Sequence, residues 1–187
     1  MTRPLLEHDW FPRPLPDNVV VGDGTWVYSS FAFLHYQSTR PCGLRLGRGC
    51  GVYINTLFDL GPSGEVEIGD FTTLAGPLFS TNGRVVIGNH VLFSSQVVVA
   101  DSFAAIPPRG PAPAAADAPE TTVVVEDLAW ISTRAVLLAG ARIRHGAIVG
   151  ANTVVDFEVP PYAIVAGDPP RVVGWSRPRP PAGEAER

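Results

Sequence analysis

The sequence is poor in several features, and each shortage removes a class of explanation. Two cysteines, Cys42 and Cys50, in 187 residues are too few for a disulfide framework. The four histidines, His8, His35, His90 and His145, lie in four separate segments. A zinc site built from three histidines therefore lacks a clustered set of ligands, and no metal is expected. Lys and Arg number 14 against 18 Asp and Glu, for a net charge of −4, and they form no stripe. Neither nucleic acid nor a membrane surface is expected as a partner. No apolar run approaches the ~20 residues that span a bilayer. The opening residues carry Glu7, His8 and Asp9 without an apolar block, so they do not read as a secretory signal, and a cytoplasmic location is the expectation. GxGxxG, P-loop and nucleophile-elbow motifs are missing too.

What the chain has is a period of six. Val125, Ile131, Leu137, Ile143, Val149 and Val155 stand six apart, and Ala129, Ala135, Ala141, Ala147 and Thr153 follow four places after the first five of them. An α-helix would scatter such positions around its circumference, and simple strand alternation would repeat every second residue. A hexad repeat marks a β-helix. Each hexad supplies a short strand and a corner, and three hexads close one triangular coil. The aliphatic residue points inward and the small residue fills the narrow inner corner. Nineteen Gly and nineteen Pro fit this reading, since most of the Gly falls at the corners.

Upstream the same register places inward residues at Val27 and Phe33, then Leu46, Val52 and Phe58, then Ile68, Leu74 and Ser80, then Ile87, Phe93 and Val99. The run Phe31–Tyr36 is rich in strand formers, and Cys50 falls at a small inner position. Residues 1–18 form a Pro-rich lead-in or cap, and 19–160 form the prism. Residues 100–122, with Pro107, Pro108, Pro111, Pro113 and Pro119, are a long extruded loop of the kind that is usually functional or disordered. Residues 161–176 form a short C-terminal cap, and 177–187 an expected disordered tail.

The motifs Val85-Val86-Ile87-Gly88-Asn89-His90-Val91, Ala129-Trp130-Ile131 and Gly146-Ala147-Ile148-Val149-Gly150-Ala151, together with the run Val159–Val172 (VPPYAIVAGDPPRV), resemble the hexapeptide-repeat acyltransferases. That family includes the galactoside, maltose and xenobiotic O-acetyltransferases. The resemblance implies an all-β, left-handed parallel β-helix that assembles as a homotrimer. It further implies acetyl-CoA or another acyl-CoA as co-substrate, lying between prisms, and a small-molecule acceptor hydroxyl or amine. On the donor side it implies Ser132, Thr133 and Ala151 against pantetheine, Arg171 toward the CoA phosphates, and Trp130 as a pantetheine wall or a subunit contact. The sequence departs from the family in two places. Ala104 stands where the catalytic histidine is expected, and Asp156-Phe157 replaces a Thr-Lys pair.

The repeat offers substitutes at the corner that bears the loop. Counting from the inward residues brings His35, Asp59, Thr81, Asn82, Asp101 and Ser102 to that corner. His35 or Asp101 is the candidate general base, and Asp59, Thr81, Asn82 and Ser102 are candidate acceptor contacts. Asp101 has a structural alternative, because Asp caps the first turn of a loop well. Val136, Ile148 and Val154, joined by Trp130, hold outward positions and predict an apolar patch that a trimer would bury. Two other readings fit the same prism: an isomerase, cyclase or lyase type of enzyme that uses no CoA, or a non-catalytic binding trimer.

Overall fold

The computed structural model describes residues 6, 8–11, 13–101 and 121–177. The greater part of the proposed loop, Ser102 included, lies outside the described residues, as does the tail from residue 178.

The described chain forms three parallel sheets, one per face of a prism. The first face stacks Val19–Val21, Leu44–Leu46, Glu65–Ile68, Arg84–Ile87, Thr121–Val125, Arg142–Ile143 and Glu158–Val159. The second stacks Trp26–Val27, Gly51–Val52, Thr73–Leu74, Leu92–Phe93, Trp130–Ile131, Ile148–Val149 and Ala163–Ala166, and ends on the antiparallel strand Arg171–Trp175. The third stacks Leu57–Leu60, Leu78–Thr81, Val98–Ala100, Val136–Leu138 and Val154–Val155. Each coil thus runs first face, second face, third face, and then climbs one step.

The hexad residues behave as their spacing requires. Val125, Ile131, Leu137, Ile143, Val149 and Val155 are buried, as are Ala129, Ala135, Ala141, Ala147 and Thr153. Cys50 is buried among them. In the early coils the corner places take Cys50, Thr56, Thr72, Val91 and Val97 in place of alanine, and phenylalanines fill inward places on the faces. Phe33 stacks on Phe58 at 5.6 Å and Phe58 on Phe79 at 5.3 Å, with Phe93 tilted against Phe79 at 5.7 Å. Such ring pairs add to the area they bury.

Two upstream expectations are corrected. The third coil turns Phe79 inward, and Ser80 faces out. The reason is local. Leu74 and Phe79 are five residues apart, where Val52–Phe58 and Phe93–Val99 are six, because Gly76, at φ +96, and Pro77 close that corner with one residue fewer. The Phe31–Tyr36 run does not make a strand either. Ser30–Phe33 is a 3-10 helix capped by the Ser29 hydroxyl, which accepts from the Phe31 N–H. Short polar side chains at a cap divert the backbone from strand pairing.

The corner between the first and second faces carries a side-chain ladder. The Arg48 N–H donates to Asp70 at 2.8 Å, the Asp70 N–H to Asn89 Oδ1 at 2.8 Å, and the Asn89 N–H to Asp127 at 2.7 Å. The Asn89 N–H chiefly, with burial opposing it and the Asn89 side chain and the His145 and His90 charges assisting, holds the Asp127 carboxyl below its ordinary value. Glycine beside these residues is a steric requirement. A Cβ on Gly47 would stand 2.6 Å from the Gly69 backbone.

The lead-in is bolted to the first coil by Asp9. Its carboxylate accepts from the Ser29 hydroxyl at 2.6 Å, the Ser30 N–H at 2.7 Å and the Phe11 N–H at 2.9 Å. Burial alone would raise the Asp9 pKa, but these donors outweigh it and bring it down to about 2 from 3.8. A carboxylate with a depressed folded pKa stabilises the fold above its unfolded value and loses that contribution as pH falls through the folded one. Asp9→Asn is therefore expected to cost about 1 kcal/mol near pH 6, after solvent screening of this half-exposed site. Thermal melts of both proteins should differ at pH 6 and converge between pH 4 and pH 2; a gap that stays constant with pH would refute this role.

Candidate functional site

Two edges of the prism collect the candidate residues. The loop-bearing edge, between the third and first faces, holds Asp59, Thr81, Asn82 and Asp101. Register pairs Asp59 with Ser80 and Ser80 with Ala100, while Thr81 pairs with Leu60. Asp59 and Thr81 therefore do not share a column: Asp59 points outward beside Ser80, and Thr81 is buried.

Asp101 is the hub of this edge. Its carboxylate accepts from the Thr81 hydroxyl, from the Gly83 N–H at 2.7 Å, and more distantly from the Asn82 N–H and the Thr122 hydroxyl, both at 3.4 Å. Thr81 Oγ1 in turn accepts from the Gly83 N–H at 3.0 Å. Asn82 Oδ1 accepts from the Ser63 N–H at 2.9 Å. These bonds tie the residue before the loop to Thr122, beyond it, and to the coil beneath. Thr81, Asn82 and Asp101 come together as expected, with Thr81 Oγ1, Asn82 Oδ1 and Asp101 Oδ2 engaged with the protein itself. His35 is exposed on the turn after the 3-10 helix. Ser102 lies outside the described residues.

The second edge, between the second and third faces, gathers the donor-side candidates. One backbone ladder runs its length. Tyr28 N–H donates to Val52 O, Tyr53 to Leu74, Ala75 to Phe93, Ser94 to Ile131, Ser132 to Val149 and Gly150 to Val165, at 2.7–2.9 Å. Ser94-Ser95, Ser132-Thr133 and Gly150-Ala151 are thereby stacked on successive coils. Arg171 pairs with Ala166 at the end of the same edge and is exposed. Trp130 is 44% exposed next to it, and its indole Nε1–H donates to Ser94 Oγ at 3.0 Å. Arg134 turns this corner at φ +60 and donates to Gln96 Oε1 at 2.9 Å. Ser132, Thr133, Ala151, Trp130 and Arg171 thus form one strip of small, hydroxylated residues beside an indole and ending in a cation.

Sequence reasoning missed Ser94, Ser95 and Gln96, which repeat Ser132-Thr133-Arg134 one coil earlier. The signal was present: each triplet follows an inward residue, Phe93 or Ile131. It also grouped Trp130 and Ile148 with Val136 and Val154, and that grouping is corrected. Register places Leu92, Trp130, Ile148 and Ile164 in a column on the second face. Leu57, Leu78, Val98, Val136 and Val154 form another on the third. Successive outward places of one run land on successive faces when each face takes a single hexad, so only every third shares a face.

No family model matches the chain. A segment of 52 residues is 40% identical to a chloramphenicol acetyltransferase of Klebsiella aerogenes, covering 28% of this chain and 24% of that protein. A segment of 51 residues is 45% identical to a 2,3,4,5-tetrahydropyridine-2,6-dicarboxylate N-acetyltransferase of Staphylococcus aureus, covering 27% of this chain and 21% of that protein. The chain thus spans about a quarter or less of the length of these curated relatives. Among solved structures, AntD, an N-acyltransferase from Bacillus cereus in complex with dTDP and 3-hydroxybutyryl-CoA, superposes with a TM-score of 0.58 at 16% identity over 88% of this chain and 80% of that one. The polysialic acid O-acetyltransferase OatWY superposes with a TM-score of 0.55 at 13% identity over 91% of this chain and 89% of that one. The fold is the left-handed parallel β-helix of acyltransferases.

The engagement of Asp101 generates a prediction. Asp101→Ala leaves the Thr81 hydroxyl without its acceptor and the Gly83 N–H with only Thr81 Oγ1, at a cost of about 2 kcal/mol. Urea unfolding should show a lower midpoint with an unchanged slope; a loss under about 0.5 kcal/mol would mean that the carboxylate does not hold this edge together.

Proposed function

We propose that the protein is a CoA-dependent acyltransferase that moves an acetyl or other acyl group onto a hydroxyl or amine of a small molecule. The observation that carries this reading is the strip Ser94-Ser95, Ser132-Thr133, Gly150-Ala151. It is narrow, hydroxylated and continuous, with Trp130 beside it and Arg171 at its end. Small residues let an extended pantetheine arm lie close, hydroxyls meet its amides, and the guanidinium meets phosphate. The acyltransferase relatives and the acyl-CoA complex of AntD support the same reading.

In the reaction the acceptor nitrogen or oxygen attacks the thioester carbonyl. The new C–N or C–O bond forms, the C–S bond breaks, and CoA leaves as its thiol after taking the proton that the nucleophile gives up. Asp101 gives Oδ2 to Thr81 and Gly83 and keeps Oδ1 with a single 3.4 Å contact, so Asp101 and exposed His35 are the two proton acceptors to test. An amine that arrives with its lone pair free needs less help from a base than a hydroxyl does.

We also propose a homotrimer. The second and third faces each carry an aliphatic or aromatic column, with Trp130 at 44% and Val154 at 46% exposure. The first face instead pairs charges: Arg84 with Glu67 at 2.7 Å, and Arg144 with Glu126 at 2.8 Å and Glu158 at 2.7 Å. The two apolar columns are surface that packing of prisms about a three-fold axis would bury. The donor strip runs along the edge where the two apolar faces meet.

Isothermal titration with acetyl-CoA should show saturable binding in the micromolar range. No heat at millimolar CoA would overturn the acyltransferase reading and favour a CoA-independent enzyme or a binding trimer. Light scattering should give the mass of three 19.9 kDa chains, about 60 kDa; a mass of one chain would remove the trimer.

A further inference from the structure

The donor strip does not end at the fourth coil. Toward the N-terminus the same edge passes through Ala75, Gly76 and Pro77 and reaches Tyr53-Ile54-Asn55 and Tyr28 on the first two coils. A cleft of about 380 Å³ opens there. Trp10, Tyr28, Phe31, Tyr53, Ile54 and Asn55 line it. Its volume is in the range of small-molecule sites, which are mostly apolar with a few placed polar groups.

The cleft is assembled on purpose-built supports. Trp10 comes from the lead-in that Asp9 fastens to Ser29 and Ser30. It packs against Phe31 at 5.4 Å, and Phe31 meets Phe11 edge-on at 5.3 Å. Trp10 is nevertheless 62% exposed, Tyr53 49% and Ile54 55%, so large apolar surface is held open at the rim. The serine and threonine hydroxyls in the lining are already used. Ser29 donates to Asp9 at 2.6 Å, and Thr56 donates to the Leu74 carbonyl at 3.1 Å. That leaves the Asn55 amide and the two tyrosine hydroxyls to meet a ligand. A polyhydroxylated sugar needs many more partners than this, because each buried hydroxyl left unpaired is costly. A flat ring needs faces to stack on, and here they are aromatic.

We infer that this cleft is the acceptor site, and that the acceptor carries an aromatic ring with its nucleophilic amine or hydroxyl on a short arm. The inference rests on the acyltransferase reading for the word acceptor, and on the cleft alone for the ring. Tyr53 and Ser132 are three coils apart on one straight edge, about 14 Å at the strand spacing. The ring is held at the aromatic end, the arm points along Ala75-Gly76-Pro77, and the thioester approaches from the hydroxylated end. The flat, small residues between leave the path unobstructed.

Tryptamine and D-glucosamine are a matched pair of probes, each an amine, one aromatic and one polyhydroxylated. Titrated into the full chain, tryptamine should saturate at sub-millimolar concentration while D-glucosamine shows no binding there. Tyr53→Ala should weaken tryptamine at least tenfold and leave CoA affinity unchanged, and Trp10→Ala, at an even more exposed position, should act in the same direction. Tryptamine binding that Tyr53→Ala leaves untouched, or D-glucosamine binding as well as tryptamine, overturns the inference. So does an absence of tryptamine binding in an oligomer whose neighbouring copy fills the cleft. A protein that binds tryptamine but not CoA retains the aromatic site and loses the acyltransferase reading; one that binds CoA but not tryptamine does the reverse.

Discussion

Every feature of this protein depends on one interaction: the hydrogen bond from an N–H on one coil to a carbonyl directly above it on the next. At the second edge it repeats from Tyr28 to Gly150 within 2.7–2.9 Å. A parallel ladder of this kind admits no slippage without turning inward residues outward. It converts a position in the sequence into a place in a column. The core is then filled by whatever stands at the inward places, phenylalanine in the early coils and alanine with β-branched aliphatics in the later ones. The edges acquire their chemistry in the same way. Two serines, a serine and threonine, and a glycine and alanine become a strip because the ladder stacks them.

Much of this was legible in the residues from Val125 to Val155. Six-residue spacing with no interruption fixes faces and corners together, and each inward residue expected there is buried. Upstream the reading was weaker, for identifiable reasons. Counting by six fails at Gly76-Pro77, where a positive φ and a fixed ring close the corner early. Composition fails at Phe31–Tyr36, because Ser29 supplies a cap that a count of strand formers ignores. Ser132, Thr133 and Ala151 could be read from a resemblance, while Ser94 and Ser95, stacked one coil earlier on the same edge, were visible only in the register. The aromatic cleft could not be read in either way, since Trp10 and Tyr53 are 43 residues apart and line one cleft through the bonds of Asp9, His8 and Phe11 to the first coil.

Asp101 shows how a catalytic reading and a structural one compete for one carboxylate. A free base needs an open lone pair toward the substrate. Here Oδ2 is given to Thr81, Gly83 and, at longer range, Thr122, while Oδ1 carries only a 3.4 Å contact from the Asn82 N–H. Its position where the prism meets the loop is what made it attractive, and the same position explains its bonds: the two ends of a long insertion must be pinned if the coils above and below are to keep register.

The stacking of whole coils also makes distance along the prism a counted quantity. The separation between the aromatic end and the hydroxylated end of the second edge is an integer number of rungs. A lineage that gained or lost one complete coil between them would lengthen or shorten that gap by a single fixed increment, without disturbing the core. Reach in such a scaffold is therefore tuned like the teeth of a ratchet, in whole steps and with no intermediate settings.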